Sequence, residues 1–227
     1  MTMKIGILQA GRAAPELAAK LGDYDDMFRH LLAGYGFDFR SWAVLDMEFP
    51  AGPEDADGWL ITGSVHGAYD DLPWIAPLEA LIRAIHDSGR PLVGVCFGHQ
   101  IIAQAFGGKV EKYPGGYAVG RSEYVLNGKP VFLNAWHQDQ VARLPEGAEV
   151  IGSNAFCPYA MLRYGDAMLT IQPHPEFDDA YIEGLIRART GVVPEPQLAA
   201  ARAEFGKPND NAAIARMMAD FLRRKEG

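Results

Sequence analysis

The sequence predicts an α/β fold in which a mixed, mostly parallel sheet carries helices on both faces. The first half alternates short apolar segments, typical of buried strands, with segments whose apolar residues recur at helical spacing. From Lys109 to Pro173 the chain shows strand and turn signals, and it finishes with helical segments. This order is typical of a parallel sheet with antiparallel additions. Ligands of such sheets bind at the carboxyl ends of the parallel strands.

The strands and helices of the first half have visible boundaries. The segment "FDFRSWAVL" alternates as a half-buried strand does, and each helical pattern ends at a glycine. The predicted strands are Lys4–Ala10, 37–45, Asp57–Gly63 and 91–96, and the predicted helices are Asp26–Gly36, Ile75–Gly89 and 98–108. The segment "SVHGAYDDLPW" is predicted as a loop.

The second half is predicted to be strands first and helices afterwards. The strand segments are "GKVEKY", "RSEYVLNGKPVFLN", "AEVIGSN" and "YAMLRYGDAMLTIQP", and the helical ones are "DDAYIEGLIRART" and "NAAIARMMADFLRRKEG". The Pro- and Gly-rich stretch Thr190–Gln197 is a candidate linker, but too few residues follow it to form a second domain. We therefore expect residues 1–227 to form a single domain with a helical C-terminal extension from about 190.

Composition excludes several classes of protein. The formal net charge is −8 and no long basic run is present. Because nucleic acid and anionic membrane surfaces attract basic proteins, we predict neither as a partner. No stretch reaches the roughly 20 apolar residues of a membrane span, and the N-terminus lacks a secretory signal pattern. The two cysteines, Cys96 and Cys157, are too few for a disulfide framework. Their sparse use predicts a cytoplasmic protein.

A cysteine stands where a predicted strand becomes a predicted helix. The segment Gly94-Val95-Cys96-Phe97-Gly98 has the strand–turn–helix pattern of a nucleophile elbow, with cysteine in the serine position. A helix N-terminus offers unpaired N–H groups and a positive dipole end, which favour the reactive thiolate. The N–H of Phe97 is then well placed to bind an oxyanion.

A histidine and a carboxylate follow a late apolar strand. His174 lies in "LTIQPHPEF", and Glu176 comes two residues later. In an extended chain such residues point the same way, and the flanking Pro173 and Pro175 disfavour a helix here. This spacing predicts a general base, His174, oriented by Glu176.

Structural roles are the alternative for each of these residues taken alone, since most cysteines and histidines near strand ends only pack. The elbow together with a late His-x-Glu favours catalysis. Cys157 lacks flanking glycines and is predicted to pack. His30 and His86 fall in helical patterns, whereas His66, His99 and His137 either line the site or are structural. No grouping has metal-ligand spacing, so we predict no metal.

The segments "GVCFGHQ" and "QPHPEF" resemble the nucleophile and His-Pro-Glu segments of the class I glutamine amidotransferase family. The resemblance covers nearly the whole chain, up to about Phe177. It implies a three-layer, flavodoxin-like α/β sandwich, with Cys96 as nucleophile, His174 as base and Glu176 as orienting acid. It implies no cofactor.

Other positions follow from the same resemblance, one at a time. The loop "LITGSVHGAYDD" matches the one that supplies a second oxyanion amide, here at Ser64 beside Gly63. Gln100 matches a residue that contacts bound glutamine, and "NAWHQDQV" makes His137 and Asp139 candidates for the site wall. The turn Gly115–Gly120 matches one whose backbone touches the amino-acid end of the substrate.

Two departures from the family pattern matter. Many members read Gly-Gly-Pro or Asn-Gly-Pro in the oxyanion loop, whereas this chain reads Gly63-Ser64-Val65. The Cβ of Ser64 restricts positive φ, so the family pattern does not fix whether that amide points into the site at rest. The chain is also the size of a glutaminase unit alone, so we expect no attached synthase domain. The segments "ITGSVHGAYDDLPWI" and "AWHQDQV" resemble those of the stand-alone members, which are described as GMP-synthase-like and include γ-glutamyl peptidases.

We therefore expect an enzyme that attacks a γ-glutamyl amide, in glutamine or a γ-glutamyl peptide, through a γ-glutamyl thioester, releasing ammonia or an amine. One alternative is a glutaminase subunit that works only with a separate synthase partner. Another is a cysteine hydrolase of α/β-hydrolase type, although there the acid normally precedes the histidine. The last is a binding or regulatory module with a vestigial site.

Overall fold

The computed structural model describes residues 2–188 and 191–223. The strands are β1 Met3–Leu8, β2 Phe37–Trp42, β3 Gly58–Ile61, β4 Leu92–Val95, β5 Lys109–Lys112, β6 Ala118–Leu126, β7 Lys129–His137, β8 Asp139–Arg143, β9 Glu149–Ser153, β10 Met161–Tyr164 and β11 Met168–Ile171. The helices are α1 Pro15–Leu21, α2 Tyr24–Leu31, α3 Ile75–Asp87, α4 Phe97–Ala105, α5 Asp179–Ala188, α6 Glu195–Ala203 and α7 Asn211–Leu222, and short 3₁₀ turns cover Val44–Asp46 and Pro53–Asp55.

Nine strands form one sheet in the order β2-β1-β3-β4-β11-β10-β9-β6-β7. The first five strands in this order, β2, β1, β3, β4 and β11, are mutually parallel. Every later pair of neighbouring strands is antiparallel. Among the described strands of this sheet, only β10 and β6 therefore run against the rest. Strands β5 and β8 form a separate antiparallel ribbon. The predicted α/β class with a mixed, mostly parallel sheet is confirmed.

Alternation along the central strands sends side chains into two cores. Trp59 and Ile61 of β3 face α3 and α4 in one core, while Leu60 between them joins the other. In that second core, Phe28 of α2 and Met218 of α7 cover the opposite face of the sheet. Each of these buried side chains contributes about 1.5–3 kcal/mol of hydrophobic free energy. The two cores define the three layers that the resemblance implies.

A third cluster packs helices α1, α5 and α6 together beside the sheet. Helix α6 lies so close to β6 that a Cβ on Gly120 would stand 2.6 Å from the Cβ of Ala201. Val193, before α6, is only 3 % exposed. The described part of the candidate linker, residues 191–197, is thus packed against the fold. Thr190 lies outside the described residues. The assignment of one domain with a C-terminal extension stays a prediction.

Several predicted boundaries differ from the structure. Helix α1 was not predicted. It begins with Pro15 and buries only Leu17, so its sequence lacks the repeating apolar residues that predict a helix. Helix α2 begins at Tyr24 because Asp23 caps it in a capping box, whereas Asp26 was predicted. It ends at Leu31, and Gly34 and Gly36 form a turn at positive φ. Strand β8 was also missed.

No helix in the described ranges combines the length and apolar character that a membrane crossing requires.

Candidate active site

Cys96 occupies a sharp corner between β4 and α4. Its backbone has φ 53° and ψ −105°, a conformation that costs a non-glycine residue about 1–3 kcal/mol. A Cβ on Gly94 would lie 2.5 Å from the carbonyl oxygen of Gly98, and a Cβ on Gly98 would lie 2.5 Å from that of Ile61. The two glycines are therefore required by close packing, as expected for an elbow.

The corner holds Cys96 at the wall of a cavity of about 310 Å³. The backbone N–H of Cys96 donates to the carbonyl of Ile171 at 2.8 Å, and its carbonyl accepts from the N–H of Gln100 at 3.1 Å. Helix α4 starts at Phe97, so the N–H groups of its first turn have no partner within the helix. A negative oxygen bound at Cys96 would meet these donors.

His174 and Glu176 lie together behind Cys96. The Nδ1 of His174 is 2.7 Å from the Oε1 of Glu176, and the two side chains are 5 % and 1 % exposed. This contact leaves Nε2 for the thiol, and both residues line the same cavity. Gly63 lies against both residues, since a Cβ there would stand 3.2 Å from His174 Cε1 and 3.7 Å from Cys96 Cβ.

The charge state of His174 follows from these neighbours. Burial alone would lower the pKa of His174, but the negative charges of Cys96 and Glu176 and hydrogen bonds to both residues outweigh it and raise this pKa to about 10. These neighbours therefore favour the imidazolium form of His174 at neutral pH. An imidazolium in this position can supply a proton to a leaving group, next to a cysteine that can act as a nucleophile.

Two residues that the sequence did not single out hold His174 in place. The backbone N–H of His174 donates to the carbonyl of Asn134 at 2.8 Å, and the Asn134 Nδ2 donates to the carbonyl of Phe177 at 3.0 Å. The Phe177 ring stacks on the imidazole at 4.0 Å with 4° between the planes. Phe177 belongs to the motif "QPHPEF", but Asn134 carries no signal without knowledge of strand register.

Gln100, His137 and Asp139 form one wall of the cavity. The Nε2 of Gln100 donates to the Asp139 carbonyl at 2.9 Å and to the Oε1 of Gln172 at 3.0 Å. Burial lowers the pKa of His137 to about 3, and the nearby charge of His174 acts in the same direction. His137 is thus a neutral side chain. Its Nδ1 lies 3.2 Å from the Asp139 carbonyl.

The other two histidines that the sequence left open, His66 and His99, have different environments. His66 lines the cavity with His137. His99 is fully buried behind it, with Nδ1 2.8 Å from the Thr170 hydroxyl. His99 therefore has a structural environment.

The oxyanion loop needs no unusual backbone at Ser64. Among the described non-glycine residues, positive φ occurs only at Met47, Cys96 and Asn127, so the Cβ of Ser64 imposes no strain of that kind. Ser64 lines the cavity, and its Oγ accepts a hydrogen bond from the N–H of His66 at 3.1 Å. The structure thus brings Ser64 and Gly63 beside Cys96. Tyr117, from the predicted contact turn, lines the same cavity.

No three His, Cys, Asp or Glu side chains in residues 2–188 and 191–223 are grouped as a metal ion would need.

Cys96 should be alkylated by iodoacetamide before Cys157 near neutral pH. Cys96 lines the cavity, whereas Cys157 is 2 % exposed and burial raises the pKa of its thiol to about 12. A thiolate reacts and a buried thiol does not. Peptide mapping over time measures both rates, and modification of Cys157 while Cys96 stays free would contradict this description of the site.

Comparison with known proteins agrees with this geometry. A family model described as "Glutamine amidotransferase class-I" matches residues 21–181. A glutamine amidotransferase-like protein of Schizosaccharomyces pombe is 30 % identical over 246 residues, which cover 98 % of this chain and 99 % of that protein. Gamma-glutamyl peptidase 4 of Arabidopsis thaliana is 35 % identical over 173 residues, which cover 69 % of each chain.

A solved structure shares the fold. The crystal structure of a glutamine amidotransferase from Methylobacillus flagellatus superimposes with a TM-score of 0.78 at 21 % identity, covering 100 % of this chain and 98 % of that one. The family model spans most of the chain, and the yeast relative aligns along nearly its whole length. The chain therefore belongs to the class I glutamine amidotransferase family.

Proposed function

We propose that this protein cleaves γ-glutamyl amides, using Cys96 as nucleophile, His174 as acid and base, and Glu176 as the orienting carboxylate. The observation that supports this most is the arrangement of Cys96 at a strained elbow, in the same cavity as an imidazole whose Nδ1 lies 2.7 Å from a buried carboxylate. Nucleophile, base and orienting group thus form the chain of contacts that covalent acyl transfer requires.

The proposed reaction begins when the Cys96 thiolate adds to the γ-carbonyl carbon of the substrate. The resulting oxyanion is stabilised by the backbone N–H of Phe97 and by that of Ser64 in the facing loop. As the C–N bond breaks, His174 gives its proton to the departing nitrogen, and a γ-glutamyl thioester remains on Cys96. His174 then takes a proton from water, whose oxygen attacks the thioester and releases glutamate and the thiolate.

Gln100 and His137 have binding roles in this proposal. With the Nε2 of Gln100 already donating to Asp139 and Gln172, its Oε1 is the group available to accept from the substrate. His137 is neutral because burial lowers its pKa to about 3, so it offers a hydrogen bond without adding charge next to the imidazolium of His174.

A γ-glutamyl peptide should be a better substrate than free glutamine. The cavity that contains Cys96 is also lined by the exposed Tyr69 and the half-buried Asp139. These residues give a peptide leaving group contacts that ammonia cannot make, and such contacts raise kcat/KM when they persist in the transition state. The relative named gamma-glutamyl peptidase is 35 % identical. The measurement is kcat/KM for glutamine and for γ-glutamyl dipeptides with purified protein, and Cys96→Ala protein gives the background.

Other outcomes would favour the alternatives. Background rates with every γ-glutamyl compound, and activity only after addition of a synthase, would show a dependent glutaminase subunit. Activity confined to esters or lactones would show a hydrolase of the other type. Binding of γ-glutamyl compounds without turnover under any condition would leave a binding module.

A further inference from the structure

Lys112 lies at the rim of the cavity that contains Cys96 and His174. It is the last residue of β5 and pairs directly with Asp139 of β8. Residues directly opposite in an antiparallel ribbon carry their side chains on the same face. Lys112 is therefore placed beside Asp139, whose backbone carbonyl accepts a hydrogen bond from Gln100. In the described part of the chain, it is the only lysine or arginine that lines this cavity.

The acidic side chains of the cavity are engaged by other donors. The Oδ2 of Asp139 accepts a hydrogen bond from the hydroxyl of Tyr69 at 2.9 Å, and the Oδ2 of Asp70 accepts one from the N–H of Gly67 at 2.9 Å. The carboxylate of Asp139, the residue paired with Lys112, is thus hydrogen-bonded to Tyr69.

Within residues 2–188 and 191–223, no carboxylate forms an ion pair with the ammonium group of Lys112. No carboxylate of the described residues lies within 4.0 Å of it. Lys109, on the same strand, instead forms an ion pair with Glu111. A cation that no carboxylate of the described residues neutralises, in the cavity that also holds Cys96, is placed to meet an anion on the substrate.

We propose that Lys112 is a specificity-determining residue that binds a carboxylate carried by the leaving group of a γ-glutamyl substrate. This inference rests on the function proposed above. Because the glutamyl group stays on buried Cys96 after the amine departs, the leaving group must face the open mouth, where Lys112 is exposed. The substrate class it selects is γ-glutamyl amino acids and peptides with a free terminal carboxylate, a group that the ammonia released from glutamine lacks.

The test compares two substrates that differ only at the group in question: γ-glutamylglycine, with a carboxylate, and γ-glutamylglycinamide, with a neutral amide. Lys112→Met should lower kcat/KM for γ-glutamylglycine about tenfold, mainly by raising KM, because a charge-assisted hydrogen bond is lost. It should leave the values for the glycinamide and for glutamine unchanged. Lys112→Arg should keep most of the wild-type kcat/KM for γ-glutamylglycine. In the wild-type protein, the ratio of kcat/KM for γ-glutamylglycine to that for γ-glutamylglycinamide should fall as salt is added.

Lys109→Met is the matched control, since that lysine lies on the same strand outside the cavity, and it should change none of the values. Equal losses on all three substrates would overturn the proposal, since they would show binding of the common glutamyl part or a structural role. So would unchanged kinetics on γ-glutamylglycine. A wild-type protein inactive on every γ-glutamyl compound would instead overturn the proposed function, and this assignment with it.

Discussion

Replacement of Cys96 by alanine is expected to lower kcat for γ-glutamyl hydrolysis by about 10⁴-fold or more, because the reaction loses the atom that forms the thioester. The fold should persist. Alanine keeps the Cβ and can adopt the strained φ of 53° as cysteine does, while Gly94 and Gly98 still permit the close packing of the corner. Ammonia or amine release, followed with purified protein, is the measurement, and circular dichroism checks the fold.

Cys157→Ala is the matched control for the first substitution. Cys157 is buried in the core with Cys96 but does not line the cavity, so its loss should leave turnover in place. Retained activity in the Cys96→Ala protein, or loss of activity only in the Cys157→Ala protein, would exclude Cys96 as the nucleophile.

Glu176→Gln is expected to lower kcat by about 10³-fold with little change in KM, a smaller effect than loss of the nucleophile. Glutamine has the same size but carries no charge. The pKa of His174, now about 10 and raised in part by Glu176, should therefore fall. Because the imidazolium is lost as the pH rises through that pKa, the alkaline limb of the kcat/KM profile should move to lower pH. A pH series of initial rates measures both effects.

Glu183→Gln provides the control for a glutamate that does not orient a base. Glu183 lies on α5 and forms an ion pair with Arg202 at 2.9 Å, so its replacement should leave the rate and the pH profile as they are. A Glu176→Gln protein with wild-type kcat and an unmoved alkaline limb would show that the carboxylate does not act through His174.

The parts of the fold that could be predicted are those with local signals. Buried strands such as β4 read as short apolar runs, and helices such as α3 as apolar residues at helical spacing closed by glycine. The elbow is local as well, since Gly94 and Gly98 flank Cys96 within one turn. His174 and Glu176 do lie side by side, but Pro175 and Glu176 form a turn rather than the extended chain on which that expectation rested.

The parts that could not be predicted depend on contacts between distant segments. Asn134 meets His174 only because β7 and the segment after β11 form a bridge. Tyr69 reaches Asp139 across 70 positions of sequence, and Lys112 reaches the cavity through the pairing of β5 with β8, a strand that carried no clear signal. Register between strands is set by packing of the whole sheet, which one sequence does not display.

The most direct test of the central claim is to identify the covalent intermediate. Protein mixed with a γ-glutamyl substrate is quenched in acid during turnover, digested, and its peptides are examined by mass spectrometry. The account predicts a γ-glutamyl group on the peptide that contains Cys96, removed by hydroxylamine as a thioester is and absent from Cys96→Ala protein. A γ-glutamyl group found on any other side chain, Cys157 included, would contradict it.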